Sequence, residues 1–396
     1  MTMVEWKNIE NCIVSLKTGL NPRQNFKLNM PGNSLPYITG KDIYDNKINI
    51  SSITDKIDSN AVSLINKRAC LESNLLLFAS TGTGTVGRMA IIENYKNDWA
   101  ISETIYAIKT SVEVNSKFLM YFLYSDVAKK QFEPKISKGS VPHLKIADLM
   151  KVSIPVPSLP EQNRIVGILD TFTASIDNLK EQIALRRKQY EYYRDQLLDL
   201  EGKEGVEMKT LGEIGEFIRG NGIQKNDFVE EGLGCIHYGQ IHAKYGFSAE
   251  ETISKIEEPL YKKCKKAQKG DVVLATTSED AEGVAKPFVW LGNEKVAVSG
   301  DAFIYHHHQN GKFMGYQFLT HKFMQFKVKY ATGAKVVRIS GDRMAKFEVA
   351  LPSLEKQNEI VDILDKFEAS IQNLEAQLAQ REKQYEYYRN KLLTFE

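Results

Sequence analysis

Two stretches of the chain carry apolar side chains at alternating spacings of four and three. In the first, Ile165, Leu169, Phe172, Ile176, Leu179, Ile183, Arg186, Tyr190, Tyr193, Leu197 and Leu200 follow one another. In the second the ladder runs Ile360, Leu364, Phe367, Ile371, Leu374, Leu378, Arg381, Tyr385, Tyr388, Leu392 and Phe395. Heptads sustained over this length describe a coiled-coil seam rather than a generic amphipathic helix. Pro160 and Pro352 stand near the two helix starts, where a missing N–H costs nothing. A helix of about 40 residues at 1.5 Å each is roughly 60 Å long. Neither helix has another partner of matching pattern, so the two are expected to pair with each other, antiparallel. Arg186 and Arg381 interrupt the ladder at the same heptad position. Each either fixes the register or lays its stem along the seam with its head in water.

The segments preceding these helices show a different pattern. Short β-rich runs, LLLFAS at 75–80 and DVVLATTS at 271–278, alternate with turn-rich stretches, and one helix-like segment follows each (115–132 and 312–329). That is an α+β pattern with a half-buried sheet. The two halves are copies. PSLPEQNRIVGILDTFTASIDNLKEQIALRRKQYEYYRDQLL at 157–198 aligns without gaps to PSLEKQNEIVDILDKFEASIQNLEAQLAQREKQYEYYRNKLL at 352–393, an offset of 195. Upstream the similarity fades but the order of landmarks persists: YITGKDI with IHYGQIHA, AISETIYAI with AVSGDAFIY, KFLMYFL with KFMGYQFL. The expected architecture is α+β: two tandem globular modules, 1–156 and 203–351, separated by two long helices, 157–202 and 352–396. The helices pair as an antiparallel coiled coil within an internal pseudo-two-fold repeat.

Composition changes this picture little; charge distribution changes it more. The 396 residues carry 52 Lys/Arg and 50 Asp/Glu, a net charge of only +2. Residues 1–156 hold 19 basic against 14 acidic groups (+5), and 203–351 hold 21 against 19 (+2). The helical segments hold 6 against 8 (−2) and 6 against 9 (−3). Basic modules on acidic connectors fit contact with nucleic acid by the modules alone. Cys12, Cys70, Cys235 and Cys264 are isolated and read as reduced thiols of a cytoplasmic protein. Neither a signal peptide nor a membrane span is expected.

Candidate contacts with DNA cluster in turns. The loop STGTGTVGR (80–88) lacks the order of a phosphate-binding loop. Its glycines would instead let Thr81, Thr83 and Arg88 approach a DNA backbone. KGSVPHL (138–144) offers Lys138, Ser140 and His143, and its counterpart TGAKVVRIS (332–340) offers Lys335 and Arg338. His237, Tyr238, Gln240 and His242 lie in one turn, and Gln can pair bidentately with adenine. Arg23, Gln24, Lys41, Arg219 and Gln224 complete the set. Consecutive histidines at 306–308 point to alternate faces and are not expected to hold a metal. No hydrolase, nucleotide-binding or metalloprotease signature is present, and no Asn-Pro-Pro-aromatic motif. A targeting chain is expected, not an enzyme.

Two modules, each ending in a PSLPEQ-type lead into a heptad helix, resemble the DNA-specificity subunit of type I restriction-modification systems. The resemblance spans the chain, although the second copy has Glu355-Lys356 where the first has Pro160-Glu161. It implies that each module recognises one half of a bipartite duplex site, with the coiled coil setting the spacer and docking two methylation subunits. S-adenosylmethionine and Mg-ATP would belong to the methylation and restriction subunits, and no cofactor to this chain. Glu191, Tyr192 and Arg194, with Glu386, Tyr387 and Arg389, lie off the seam and form the candidate partner-binding surface. The alternative is a duplicated coiled-coil scaffold whose modules bind protein or polysaccharide.

Overall fold

The computed structural model describes residues 4–333 and 336–395, the side chain of Gln24 excepted. The chain divides into two compact units, residues 1–180 with 377–396, and residues 181–376. Two long helices, α1 (Leu159–Leu198, 40 residues) and α2 (Leu354–Leu392, 39 residues), each contribute to both. Both start at the same place in the repeat, so the Glu355-Lys356 departure leaves the helix start unmoved.

In the first unit a four-stranded antiparallel sheet runs in the order Ile13–Thr18, Ile105–Thr110, Leu76–Ala79, Met89–Ile91. Its central strand Leu76–Ala79 is buried throughout. That is why this run reads as continuously apolar rather than alternating. A smaller sheet places Leu35–Ile38 between Lys56–Ile57 and Ala100–Ile101. In the second unit the sheet order is Gly215–Arg219, Ala302–His307, Val272–Ala275, Lys286–Trp290, Ser248–Ala249. A second five-stranded sheet packs with it. Each unit thus has an α+β core of two apolar clusters or more. Gly19 and Gly220 occupy matching bends where a Cβ would collide with the carbonyl oxygens of Ile101 and Ser299.

Two corrections to the sequence reading concern helices. The segment 115–132 is two helices, Ser116–Tyr124 and Asp126–Phe132, broken at Ser125. Ser125 is extended (ψ 156°) and its hydroxyl caps the second helix through Ala128 N–H. Thr320 breaks the matching segment in the second unit in the same way, accepting from Phe323 N–H. A hydroxyl that satisfies an orphan N–H favours a cap over helix interior.

The helices pair antiparallel. In the second unit Arg187 meets Glu375, Tyr190 meets Glu368 and Tyr193 stacks on Phe367, so numbers rise on α1 as they fall on α2. In the first unit Phe172 stacks on Tyr388 with centroids 5.4 Å apart, as Tyr193 stacks on Phe367 at 5.6 Å. The two seam arginines have matching seats: Arg186 lies 6.0 Å from the Phe367 centroid and Arg381 5.8 Å from that of Phe172. Each cation sits over an aromatic face of the opposing helix, an attraction that works only in register.

Candidate nucleic-acid interface and the module–helix joint

Each module is closed by its own chain ends. Glu5–Asn8 pairs antiparallel with Ser153–Val156, the strand that runs into α1, and Glu207–Thr210 pairs with Glu348–Leu351 before α2. The first turns of the long helices then lock onto the module. Gln162 is fully buried: its amide oxygen accepts from Asn115 N–H (2.8 Å) and its amide nitrogen donates to the carbonyls of Glu113 and Pro157 (both 2.8 Å). Two turns along, Asp170 accepts from Lys117 (2.9 Å) and from the Tyr121 hydroxyl (2.6 Å). Burial, reinforced by that carboxylate, pushes the Tyr121 phenol well above its ordinary value. The second unit repeats the joint at an offset of 195, with Gln357 on Asn310, and Asp365 on Lys312 (2.7 Å) and Tyr316 (2.9 Å). These side chains were not singled out in the sequence, because polar residues on an amphipathic helix look solvated. The signal available was that Asn115/310, Lys117/312 and Tyr121/316 repeat with them.

At the loops the modules diverge. In the first unit Thr81 and His143 form an isolated antiparallel bridge, and Thr81 Oγ1 lies 2.7 Å from His143 Nδ1. The glycine-rich loop and the 138–144 loop are therefore one surface, with Thr83, Lys138 and Ser140 exposed on it. Arg88 is half-buried and donates to the carbonyl of Ile43, beside the turn that carries Lys41. Lys41 pairs with Asp55 at 2.7 Å; that hydrogen bond raises the lysine and lowers the carboxyl. Arg23 is exposed in the short helix Pro22–Asn25.

In the second unit the ribbon Thr277–Ser278 with Val337–Arg338 takes the place of that bridge, Thr277 facing Arg338. Lys335 lies outside the described residues, as does the side chain of Gln24. Tyr238 and His242 line a hollow with Ser278, Glu279 and Asp280, and His242 Nε2 is 2.9 Å from Thr277 O. His237 and Gln240 are turned inward instead. They form a reciprocal cap at the start of Tyr238–Ala243, Gln240 donates to Ser254, and burial lowers the His237 pKa. Gln224 is exposed and caps the turn Lys225–Asp227. Arg219 donates to Gly300 O (2.9 Å). Lys327, missed in the sequence, is buried and donates to the carbonyls of Glu282 and Val284, holding the acidic loop; burial lowers it to about 8.

The six outward candidates divide. Tyr192 and Tyr387 are 62% and 59% exposed, and Glu191 and Glu386 are exposed beside them. Arg194 and Arg389, expected on the same face, are each only 9% exposed. Their guanidinium groups lie over the rings of Tyr190 and Tyr385, and Arg194 is also paired with Asp195. Among 306–308, His306 bonds to Asp271 (2.8 Å), His307 is buried and its pKa falls to about 4 chiefly through burial, and His308 is exposed.

This repeated construction has a counterpart among known proteins. The sequence profile described as the type I restriction modification DNA specificity domain matches twice, at residues 3–186 and 203–382. The chain belongs to that family. A putative type I restriction enzyme specificity subunit of Haemophilus influenzae is 26% identical over 355 residues, covering 82% of this chain and 83% of that one. A type I restriction enzyme specificity subunit of Escherichia coli is 32% identical over 258 residues, 62% of this chain and 63% of its own. Two solved structures share the fold. One, from work on complex assembly and conformational transition of the type I R-M system, has a TM-score of 0.61 at 18% identity, covering 99% of this chain and 97% of that one. The other is the type I restriction-modification S subunit of M. genitalium, with a TM-score of 0.55 at 16% identity, covering 100% and 98%. As a specificity subunit the chain is a recognition component with two recognition domains, not a catalytic one. No helix among its described residues is long and apolar enough to cross a membrane.

Proposed function

We propose that the chain directs a type I restriction-modification complex to a bipartite duplex site in the cytoplasm, each module reading one half-site. Residues 1–156 and 203–351 are the readers, and 157–202 and 352–396 the helical connectors. The observation that carries this reading is the contrast between joint and loops. Gln162, Asp170 and their partners recur at a constant offset, whereas the loops around Thr81 and Thr277, though bridged at the same place, differ in sequence. One mount holding two unlike readers suits a target with two unlike halves. DNA would meet the loop surfaces bearing Thr83, Lys138, Ser140 and His143 in one module, and Tyr238, His242, Arg219 and Arg338 in the other.

The paired helices set the unread spacer in this account, and their repeated outward face docks two methylation subunits through Glu191, Tyr192, Glu386 and Tyr387. Those subunits bring S-adenosylmethionine, and the restriction subunits bring Mg-ATP. Deleting one heptad from each connector removes about 10 Å of helix, close to three base pairs. The methylated sequence should keep both half-sites and change its spacer by about that amount; an unchanged spacer would refute the ruler.

A further inference from the structure

The modules carry different charged groups at one matched place beside the bridged loops. In the second unit a depression of about 280 Å³ is lined by Arg219, Arg338 and Arg343, with Thr332, Ser340 and Asp301. Three guanidinium groups thus face one carboxylate. Asp301 stands 3.9 Å from Arg219, which also holds Gly300 O, and Arg343 lies over the Tyr330 ring at 5.4 Å. Arg338 is fixed through its backbone, which exchanges hydrogen bonds with Thr332 (2.9 and 2.8 Å), and its side chain is exposed. Ser340 Oγ accepts from Arg343 N–H, which leaves the hydroxyl proton free to donate.

The first unit builds the same place with different charged groups. Strand register makes Thr18 the counterpart of Arg219, since Thr18 pairs with Tyr106 as Arg219 pairs with Phe303. The bridge to Thr81 makes His143 the counterpart of Arg338. The offset of 195 in the following segment puts Lys145 and Asp148 at Ser340 and Arg343. Three arginines are therefore replaced by a hydroxyl, an imidazole tied to Thr81 and a carboxylate, while Lys145 stands in place of Ser340 and Arg68 donates to the Thr18 hydroxyl.

We propose that the second module's depression holds one phosphate of the DNA backbone, with Arg338 and Arg343 as the pairing cations. This rests on the DNA-recognition reading above. Planar guanidinium forks match phosphate oxygens bidentately, and hydroxyls complete the donor set. Arg219, already engaged with Gly300 and Asp301, shapes the wall. A phosphate contact positions the duplex but carries no base information. The depression therefore contributes affinity and salt dependence to the second half-site, and the first module lacks this arginine pair.

The test uses the full complex with its partner subunits and a duplex carrying the methylated site, with dissociation constants measured across a salt series. Arg338→Gln and Arg343→Gln together should flatten the slope of log K against log salt by about one unit, and each alone by part of that. Both should weaken binding several-fold at low salt, equally for the cognate site and for single-base variants of either half. Arg338→Lys should keep the native slope, and melting curves of all variants should match the native protein. An unchanged slope, or relaxed preference at one base pair only, would overturn the phosphate assignment. So would loss of subunit assembly with DNA affinity retained, which would mean the arginines serve a carboxylate on a partner protein. If the native complex itself binds no bipartite duplex, the underlying DNA reading fails instead, and that outcome is distinct from all of these.

Discussion

Gln162 offers the sharpest perturbation of the joint. Replacing it with leucine keeps the volume and removes every polar atom from a site with no solvent exposure. Three hydrogen bonds of 2.8 Å disappear, leaving Asn115 N–H and the carbonyls of Glu113 and Pro157 without their partner. A buried donor left unsatisfied costs about 1–3 kcal/mol. Glu113 is exposed, so its carbonyl can turn to water, but Pro157 is buried and its carbonyl cannot do so readily. The expected loss is about 2–4 kcal/mol for the first unit, which at its size lowers the melting temperature by roughly 4–16 °C. Differential scanning calorimetry of the full chain measures this directly. Asn163→Ala is the comparison: it removes one exposed amide contact with Asn115 and should cost under about 1 kcal/mol. If Gln162→Leu lost less than about 0.5 kcal/mol, the joint would not be what fastens the module to its helix.

Lys327 gives a pH signature. Its pKa falls from 10.5 to about 8 because burial disfavours the ammonium. Between pH 8 and 10 the folded state binds fewer protons at this group than the unfolded state, so its contribution to stability rises with pH. The stability of the native protein relative to Lys327→Met should therefore increase from pH 8 to pH 10, read by urea denaturation; a constant difference would contradict the assignment. Phe172→Ala removes both a stacked ring and the seat of Arg381; because the ring is only partly buried, the loss should be about 1–3 kcal/mol by the same calorimetry. Exchanging residues 1–156 for another module should change one half of the methylated sequence and leave the other intact.

The seam was legible because coiled-coil spacing is a local property of sequence. The ladder from Ile165 to Leu200 and its copy predicted both helices, and burial of Ile165, Leu169, Ile176 and Ile183 follows it. The strands Leu76–Ala79 and Val272–Ala275 were visible for the same reason, as apolar runs between turns. What the sequence hid depends on contacts between distant segments. Arg194 lies off the heptad seam and reads as outward, yet it is largely buried, with its guanidinium over the Tyr190 ring and paired with Asp195. His237 and Gln240 have side chains suited to base edges, but the turn they occupy uses both as caps. The break at Ser125 was missed because a serine flanked by helix formers gives no strong stop signal until its cap is seen. Most telling is Asp170, which reads as one more solvated helix carboxylate. Only the fold brings Lys117 and Tyr121 to it, and only its twin at Asp365 shows that the arrangement is a part used twice.

One repeated mount that presents two unlike readers should give the chain a bipartite target. Mapping methylated adenines in a genome exposed to the complete complex tests it most directly. The expected result is a single motif of two different half-sites separated by a fixed unread spacer, lost when this chain is deleted. A contiguous motif, two identical halves, or methylation that persists without the chain would contradict it.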